Sequence, residues 1–312
     1  MGSSGLGHID PDAKKATMAS GMHGKARRPK LVDSTTGRHL TGRVWFRILT
    51  ALLMAAPVLA EKPVPSQETS QAIFMVLSNP LAAQVPALLP LAKLLLALAA
   101  ISPSLVGGHR AGRVLCTYYA ALLVLVGFLQ NMAFTSTYGF VWVLGNTVVQ
   151  LMVAASFVFA LAREPEGQAS ALQPQRLWLL LPMALALVEP YAAAPDGTLV
   201  RAFGPNVLTN DTGVTYCMIT PVVLGSMLLY DMEKVEGPAV DDTKLQSGNA
   251  TPGVSASPIT VAISYAAYVG LLFGLLNLLT WFVFIPASWW MGVLHLPLVV
   301  VSIYGISRCR RS

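Results

Sequence analysis

Residues 121–146, ALLVLVGFLQNMAFTSTYGFVWVLGN, decide how the chain is read. Two apolar runs flank a short polar turn, and Gln130, Asn131 and Asn146 set amide groups inside or against those runs. An unpaired polar group in hydrocarbon costs several kcal/mol. Such amides need partners, either neighbouring helices or a ligand.

The rest of the chain extends this pattern. It has 312 residues, 54% hydrophobic and only 12% charged, against roughly 25% charged in an average soluble domain. Apolar runs lie at about 44–60, 81–101, 114–134, 139–162, 176–193, 213–231, 259–284 and 288–306. They approach or exceed the ~20 residues that cross a ~30 Å hydrocarbon core. The sequence therefore reads as an all-α, polytopic integral membrane helical bundle of about eight transmembrane helices.

The formal charge of +6 does not indicate a nucleic-acid partner, because nine of the 21 Lys and Arg fall before residue 48. Residues 1–43 lack apolar periodicity and read as a basic, disordered cytoplasmic tail, drawn to anionic headgroups. With that tail inside, the loops at 102–113, 163–175 and 232–258 and the C-terminus also fall inside. The inner side then holds 18 basic residues and the outer side two, Lys62 and Arg201, with Lys93 within a span. This partition follows the positive-inside rule and puts both termini in the cytoplasm. The loop 232–258, rich in Gly, Ser, Pro and charge, is expected to be disordered. Residues 44–60 have a rival reading as a signal peptide cleaved after Ala60, which would leave seven spans. Against it stands a basic segment in front, at residues 1–43, far longer than an ordinary signal leader.

An internal echo divides the bundle. Tyr119 precedes Asn131 by twelve residues, and Tyr265 precedes Asn277 by the same interval. Short outer connections follow, FTSTYG and IPASWW, and then helices bearing Asn146 after Trp142 and His295 after Trp290. This pattern suggests two parallel four-span halves, 44–162 and 176–306, related by an axis along the membrane normal.

With this topology, Gln130, Asn131, Glu189, Asn210, Asp211, Tyr216, Asn277 and His295 fall at similar depth toward the outer side, where Asn210 or Asp211 is placed to cap a helix beginning near Thr212. Asn146 lies slightly deeper, and Lys93 closer to the cytoplasm. Ionisable residues at such depth usually face a bundle interior or a water-filled cavity. The candidate ligand-binding set is Asn131, Asn146, Glu189, Asp211, Asn277 and His295. Each also has a structural reading: the amides as interhelical glue, Glu189 as a helix end before Pro190, and His295 as a ring satisfied by a carbonyl near Pro297. Gly270 and Gly274, in GLLFG, form a small-xxx-small pattern for close packing within the chain or for a homo-oligomer contact.

Walker A, GxSxG, HExxH and paired-His patterns are missing, and Cys116, Cys217 and Cys309 show no CxxC spacing. No cofactor or metal is expected. The expected partners are membrane lipids and a small neutral or weakly charged solute, handled by a transporter or receptor with a polar site in the extracytoplasmic half. The alternatives are an intramembrane enzyme acting on a lipid or isoprenoid, with Glu189 or Asp211 as acid/base beside His295, and a structural or accessory subunit.

Overall fold

Each of the eight apolar runs carries a helix. The structure, a computed structural model, describes residues 41, 43–85, 87–106, 108–163, 171–189, 191–193, 199–201, 206–232 and 256–311. Most of the expected basic tail and the centre of the 232–258 loop lie outside these residues.

In chain order the elements are α1 (Val44–Met54), β1 (Leu59–Ala60), α2 (Thr69–Ser78), α3 (Leu88–Val106), α4 (Gly108–Leu129), β2 (Met132–Thr135), β3 (Gly139–Trp142) and α5 (Leu144–Arg163). A 3-10 turn (Pro174–Leu179) leads into α6 (Leu180–Val188), followed by β4 (Tyr191–Ala193), β5 (Leu199–Arg201) and α7 (Asn206–Thr209). The 3-10 turn Asp211–Val214 leads into α8 (Tyr216–Leu229), followed by α9 (Pro258–Leu279), α10 (Trp289–Leu294) and α11 (Leu296–Cys309). Among the described residues, five helices are long and apolar enough to cross a membrane: Leu88–Val106, Arg110–Leu129, Leu144–Arg163, Pro258–Phe284 and Trp289–Cys309. A sixth arises if Val207–Val214 and Tyr216–Leu229, bent by 82°, are one broken span. Val44–Met54 and Pro174–Val188 are apolar but shorter. The chain is a helical membrane protein. Its exposed shell agrees, with Leu94, Leu98, Leu125, Val158, Leu181 and Ile303 all facing outward where only lipid makes them inexpensive.

Helix α8 is the core. Every residue from Tyr216 to Leu229 is buried, and α3, α4, α6, α9 and α11 pack around it. Its glycine makes this possible, since a Cβ on Gly225 would lie 2.6 Å from Met183 of α6. Gly270 and Gly274 likewise bring α9 onto α11, where added Cβ atoms would meet Ser302 and Val299 at 2.6 Å. In this chain both glycines are buried in that internal contact.

The two hairpins of the echo, α4 with α5 and α9 with α11, form as pairs, and α1 packs on α5 as α6 packs on α11. Other neighbours differ. The Tyr119 hydroxyl meets Thr220 of α8 at 3.0 Å, whereas Tyr265 meets Thr50 of α1 at 3.1 Å. The turns differ as well. IPASWW is a 3-10 turn following a π-helical stretch, while FTSTYG closes a β-hairpin joined by β1 in the order β1-β3-β2. These strands are absent from the all-α expectation. Gly139, at φ +69°, turns the hairpin, and Thr135 Oγ1 accepts from Tyr138 N at 3.0 Å. Helix α2 lies on β2, and Ala72, Val76, Ala133, Tyr138, Val141 and Val143 form a second small core at this end.

Residues on both sides of Ala60 belong to the fold. Ala60 pairs with Val141 in the sheet. On α1, Arg47 O accepts from Tyr268 OH at 2.8 Å. At the end of the bundle away from the sheet, Arg176 Nη2 lies 2.6 Å from Asp231 Oδ1, and Arg308 lies 3.7 Å from the same atom. Arg176 Nη1 also donates to Leu228 O at 2.5 Å. This network ties the start of the 174–188 segment to the ends of α8 and α11.

Candidate functional site

The broken span creates the polar site. Thr215, at φ −105° and ψ 121°, is extended, so the chain leaves the turn Asp211–Val214 and restarts as α8 at Tyr216. A new helix start leaves backbone N–H groups unpaired. Gln130 Oε1, reaching in from the end of α4, accepts from Tyr216 N at 2.9 Å. One opening amide is thereby explained: it caps a helix that begins inside the bundle.

Gly213 brings that turn against α3, where an added Cβ would fall 2.6 Å from Lys93 N. Lys93 is buried, and its Nζ donates to Asn210 Oδ1 at 2.7 Å and to Val207 O. Asn210 Nδ2 donates to Val188 O at 3.2 Å, and Thr212 Oγ1 to Leu187 O at 3.3 Å. Those carbonyls are among the ones that the end of α6 leaves without intrahelical partners. Helix α6 stops at Glu189, which takes φ +44° and ψ 75°. The left-handed region is uncommon for a side chain other than glycine and costs about 1–2 kcal/mol.

Three ionisable groups from three segments thus meet at the unwound turn. The charges acting on Lys93 are those of Glu189 and Asp211, and Glu189 feels Asp211 and Lys93. Asp211 Oδ2 accepts from Thr215 Oγ1 at 3.1 Å. Among the described residues neither carboxylate forms a direct ion pair with Lys93, whose recorded partners are neutral oxygens. The Glu189 carboxylate makes no hydrogen bond within the described chain. Its acceptor capacity is open to a ligand or water.

Lys93 corrects one expectation. It lies in the second turn of α3, level with the turn Asp211–Val214, and not closer to the opposite end than the other polar groups. The physical cause is the start of the helix. Residues Leu81–Gln84 form a 3-10 turn, and α3 begins only at Leu88.

The other expected site residues are distributed around the core. Asn131 is fully buried, and its Nδ2 donates to Gly127 O at 3.0 Å and Gln150 Oε1 at 3.2 Å, while Oδ1 has no partner among the described residues. Asn277 Nδ2 donates to Phe273 O at 2.8 Å and lies 3.6 Å from Cys217 Sγ. Both asparagines hold the carbonyl four residues back on their own helix and reach one neighbour, so the echo persists in their bonding. Asn146 is half-buried on the first turn of α5. The bonds in this region come from Thr147, which accepts from Trp142 Nε1 at 2.8 Å and donates to Gly127 O at 2.6 Å.

His295 marks the break between α10 and α11. Its backbone N–H turns to Gly292 O at 3.0 Å, and its ring Nδ1 takes Met291 O at 2.7 Å. Met291 O is the carbonyl that the tightened turn leaves free. Among the described residues the ring makes no hydrogen bond or ion pair to Glu189 or Asp211, its bond being the one to Met291 O.

No family model matches the chain, and neither a curated protein nor a solved structure matches it.

Proposed function

We propose that the chain is an eight-span transporter or receptor for a small neutral or weakly charged solute, with its site at the unwound turn between Val207–Val214 and Tyr216–Leu229. One observation carries this reading. Lys93, Glu189 and Asp211, from separate segments, converge on a discontinuous helix buried among the others. Buried charges are costly, and discontinuous helices exposing backbone groups at depth are how many transporters build substrate sites. Two carboxylates and one ammonium leave unused acceptors, which suit a solute bearing hydroxyl or N–H donors and at most a weak positive charge.

In the same proposal, Val44–Met54 and Pro174–Val188 complete the count of spans, and the halves 44–162 and 176–306 are parallel repeats. Both termini lie in the cytoplasm, which puts the Lys93 site in the extracytoplasmic half. The paired hairpins and the matched bonding of Asn131 and Asn277 support the repeat.

The test is a binding screen of small polar solutes against the full chain in detergent, repeated with Lys93→Met and Glu189→Gln. A solute bound by the parent and weakened about tenfold or more in both variants supports the siting. If every bound solute is held equally by both variants, the site is elsewhere.

A further inference from the structure

The end of the bundle opposite the hairpin sheet holds a second polar feature, independent of the Lys93 site. A half-open cavity of about 120 Å³ lies where the beginnings of α1 and α9 meet the end of α11, lined by Arg47, Thr260, Ser264, Tyr265 and Cys309 together with Thr41. That is well above the ~10–15 Å³ that lodges one water. Among the described residues Arg47 is its one cationic lining residue, and no Asp or Glu lines it. The guanidinium sits 5.2 Å from the centre of the Tyr268 ring, and its Nε donates to Thr41 O at 3.4 Å. Among the described residues no carboxylate pairs with it, and neither terminal nitrogen has a hydrogen-bond partner. Thr41 Oγ1 is buried with no partner in the described chain. The Ser264 hydroxyl, in the second turn of α9, is likewise without one among the described residues, and the positive end of this 22-residue helix adds to the same potential.

We infer that this cavity is a binding site for a phosphate group, held by the Arg47 fork with the Ser264 and Thr41 hydroxyls as further donors. The geometry argues for an oxyanion. A guanidinium presents a planar fork that matches phosphate oxygens in pairs, and the Tyr268 ring and the Thr41 carbonyl hold that of Arg47 at the cavity. Position argues for the same ligand. Arg43, Arg308, Arg310 and Arg311 stand at this end of the helices, and basic pockets between helices at this level recognise anionic headgroups. Two sources offer the chemistry, the phosphodiester of an anionic lipid and soluble phosphate.

The experiment titrates the purified full-length protein in detergent with short-chain phosphatidylglycerol, with inorganic phosphate and with the matching diacylglycerol. Saturable binding of phosphatidylglycerol or phosphate, reduced about tenfold or more in Arg47→Gln, is the expected result. Phosphate that competes with phosphatidylglycerol identifies a site open to soluble anions, and lipid binding without competition identifies a headgroup site. Ser264→Glu leaves Arg47 and its Tyr268 contact in place, adds a carboxylate to the cavity lining and should abolish binding, so it serves if Arg47→Gln does not fold. Diacylglycerol bound as tightly as phosphatidylglycerol, full affinity in either variant, or no saturable binding of either phosphate compound overturns the inference.

Discussion

Lys93 and Asn210, 117 residues apart, are joined by a 2.7 Å hydrogen bond at the point where a buried span unwinds. This bond couples α3 to the turn before α8, and Asn210 passes the connection to the last carbonyls of α6. Lys93→Met removes the ammonium and leaves Glu189 and Asp211 uncompensated. It should lower stability by about 1–3 kcal/mol, the loss for hydrogen bonds to a charged group. Adding Glu189→Gln should recover part of that loss, because the remaining like-charge repulsion goes with it. Tryptophan-fluorescence unfolding of the two variants checks this, and a double variant less stable than Lys93→Met alone contradicts it.

The ion pair Arg176–Asp231 predicts a different pattern. Removing one partner of a buried pair typically costs about 3–5 kcal/mol, whereas replacing both with apolar side chains of similar volume is often tolerated. Asp231→Ala should therefore destabilise the protein more than Arg176→Met with Asp231→Leu combined. Thermal melts of the single and double variants in one detergent decide the matter.

Gly145 tests whether residues 44–60 remain part of the mature bundle. A Cβ at this position would drive into the backbone of Leu53 and lie 3.3 Å from Ala56. Gly145→Val should cost about 1–3 kcal/mol through overpacking, and mass spectrometry should find the 44–60 peptide in the purified protein. A cleaved chain lacks that peptide and is indifferent to the substitution.

Tyr138 provides a pH-dependent readout outside the spans. Its hydroxyl donates to Glu68 Oε2 at 2.5 Å, and that bond to a carboxylate, chiefly, holds the phenol pKa above its ordinary value of 10.0. A raised folded-state pKa means that the native protein holds the proton more tightly than the unfolded chain. The resulting stability is fully present below pH 10 and is lost as pH rises through the native value. In an ultraviolet titration compared with the parent protein, Tyr138→Phe should remove one phenol from the late-ionising total, and Glu68→Gln should shift one phenol earlier.

Much of the bundle is legible in the sequence because lipid imposes a simple demand: an apolar run must be a helix if its backbone is to be satisfied. Every expected run contains one. The short strands are harder to read, since FTSTYGFVW sits between two spans and its β-branched and aromatic residues resemble the start of the next helix. Glu189 and Asp211 stand out as charges in an apolar chain, and the structure brings them together with Lys93. Of their connectors only Asn210 stands out, as a polar residue at the same depth and a candidate helix cap. Thr212, Thr147 and Gln150 are ordinary polar residues whose value depends on which carbonyl or amide lies across from them, and periodicity carries no information about that. Lys93 was visible as an oddity, but its depth depended on where α3 starts, a boundary of a few residues.

The burial of α8 has a consequence for how the protein is made. Fourteen residues rise only about 21 Å, short of the ~30 Å hydrocarbon core, and no side of this helix faces lipid. Such a segment has little reason to leave an insertion channel alone. Helices α3, α4 and α6 are synthesised before it, but α9 and α11, which close its remaining flank, are synthesised after. Its final environment exists only once the residues from Pro258 onward, about the last sixth of the chain, have emerged, so a nascent chain halted before Pro258 holds a central helix with one side still bare.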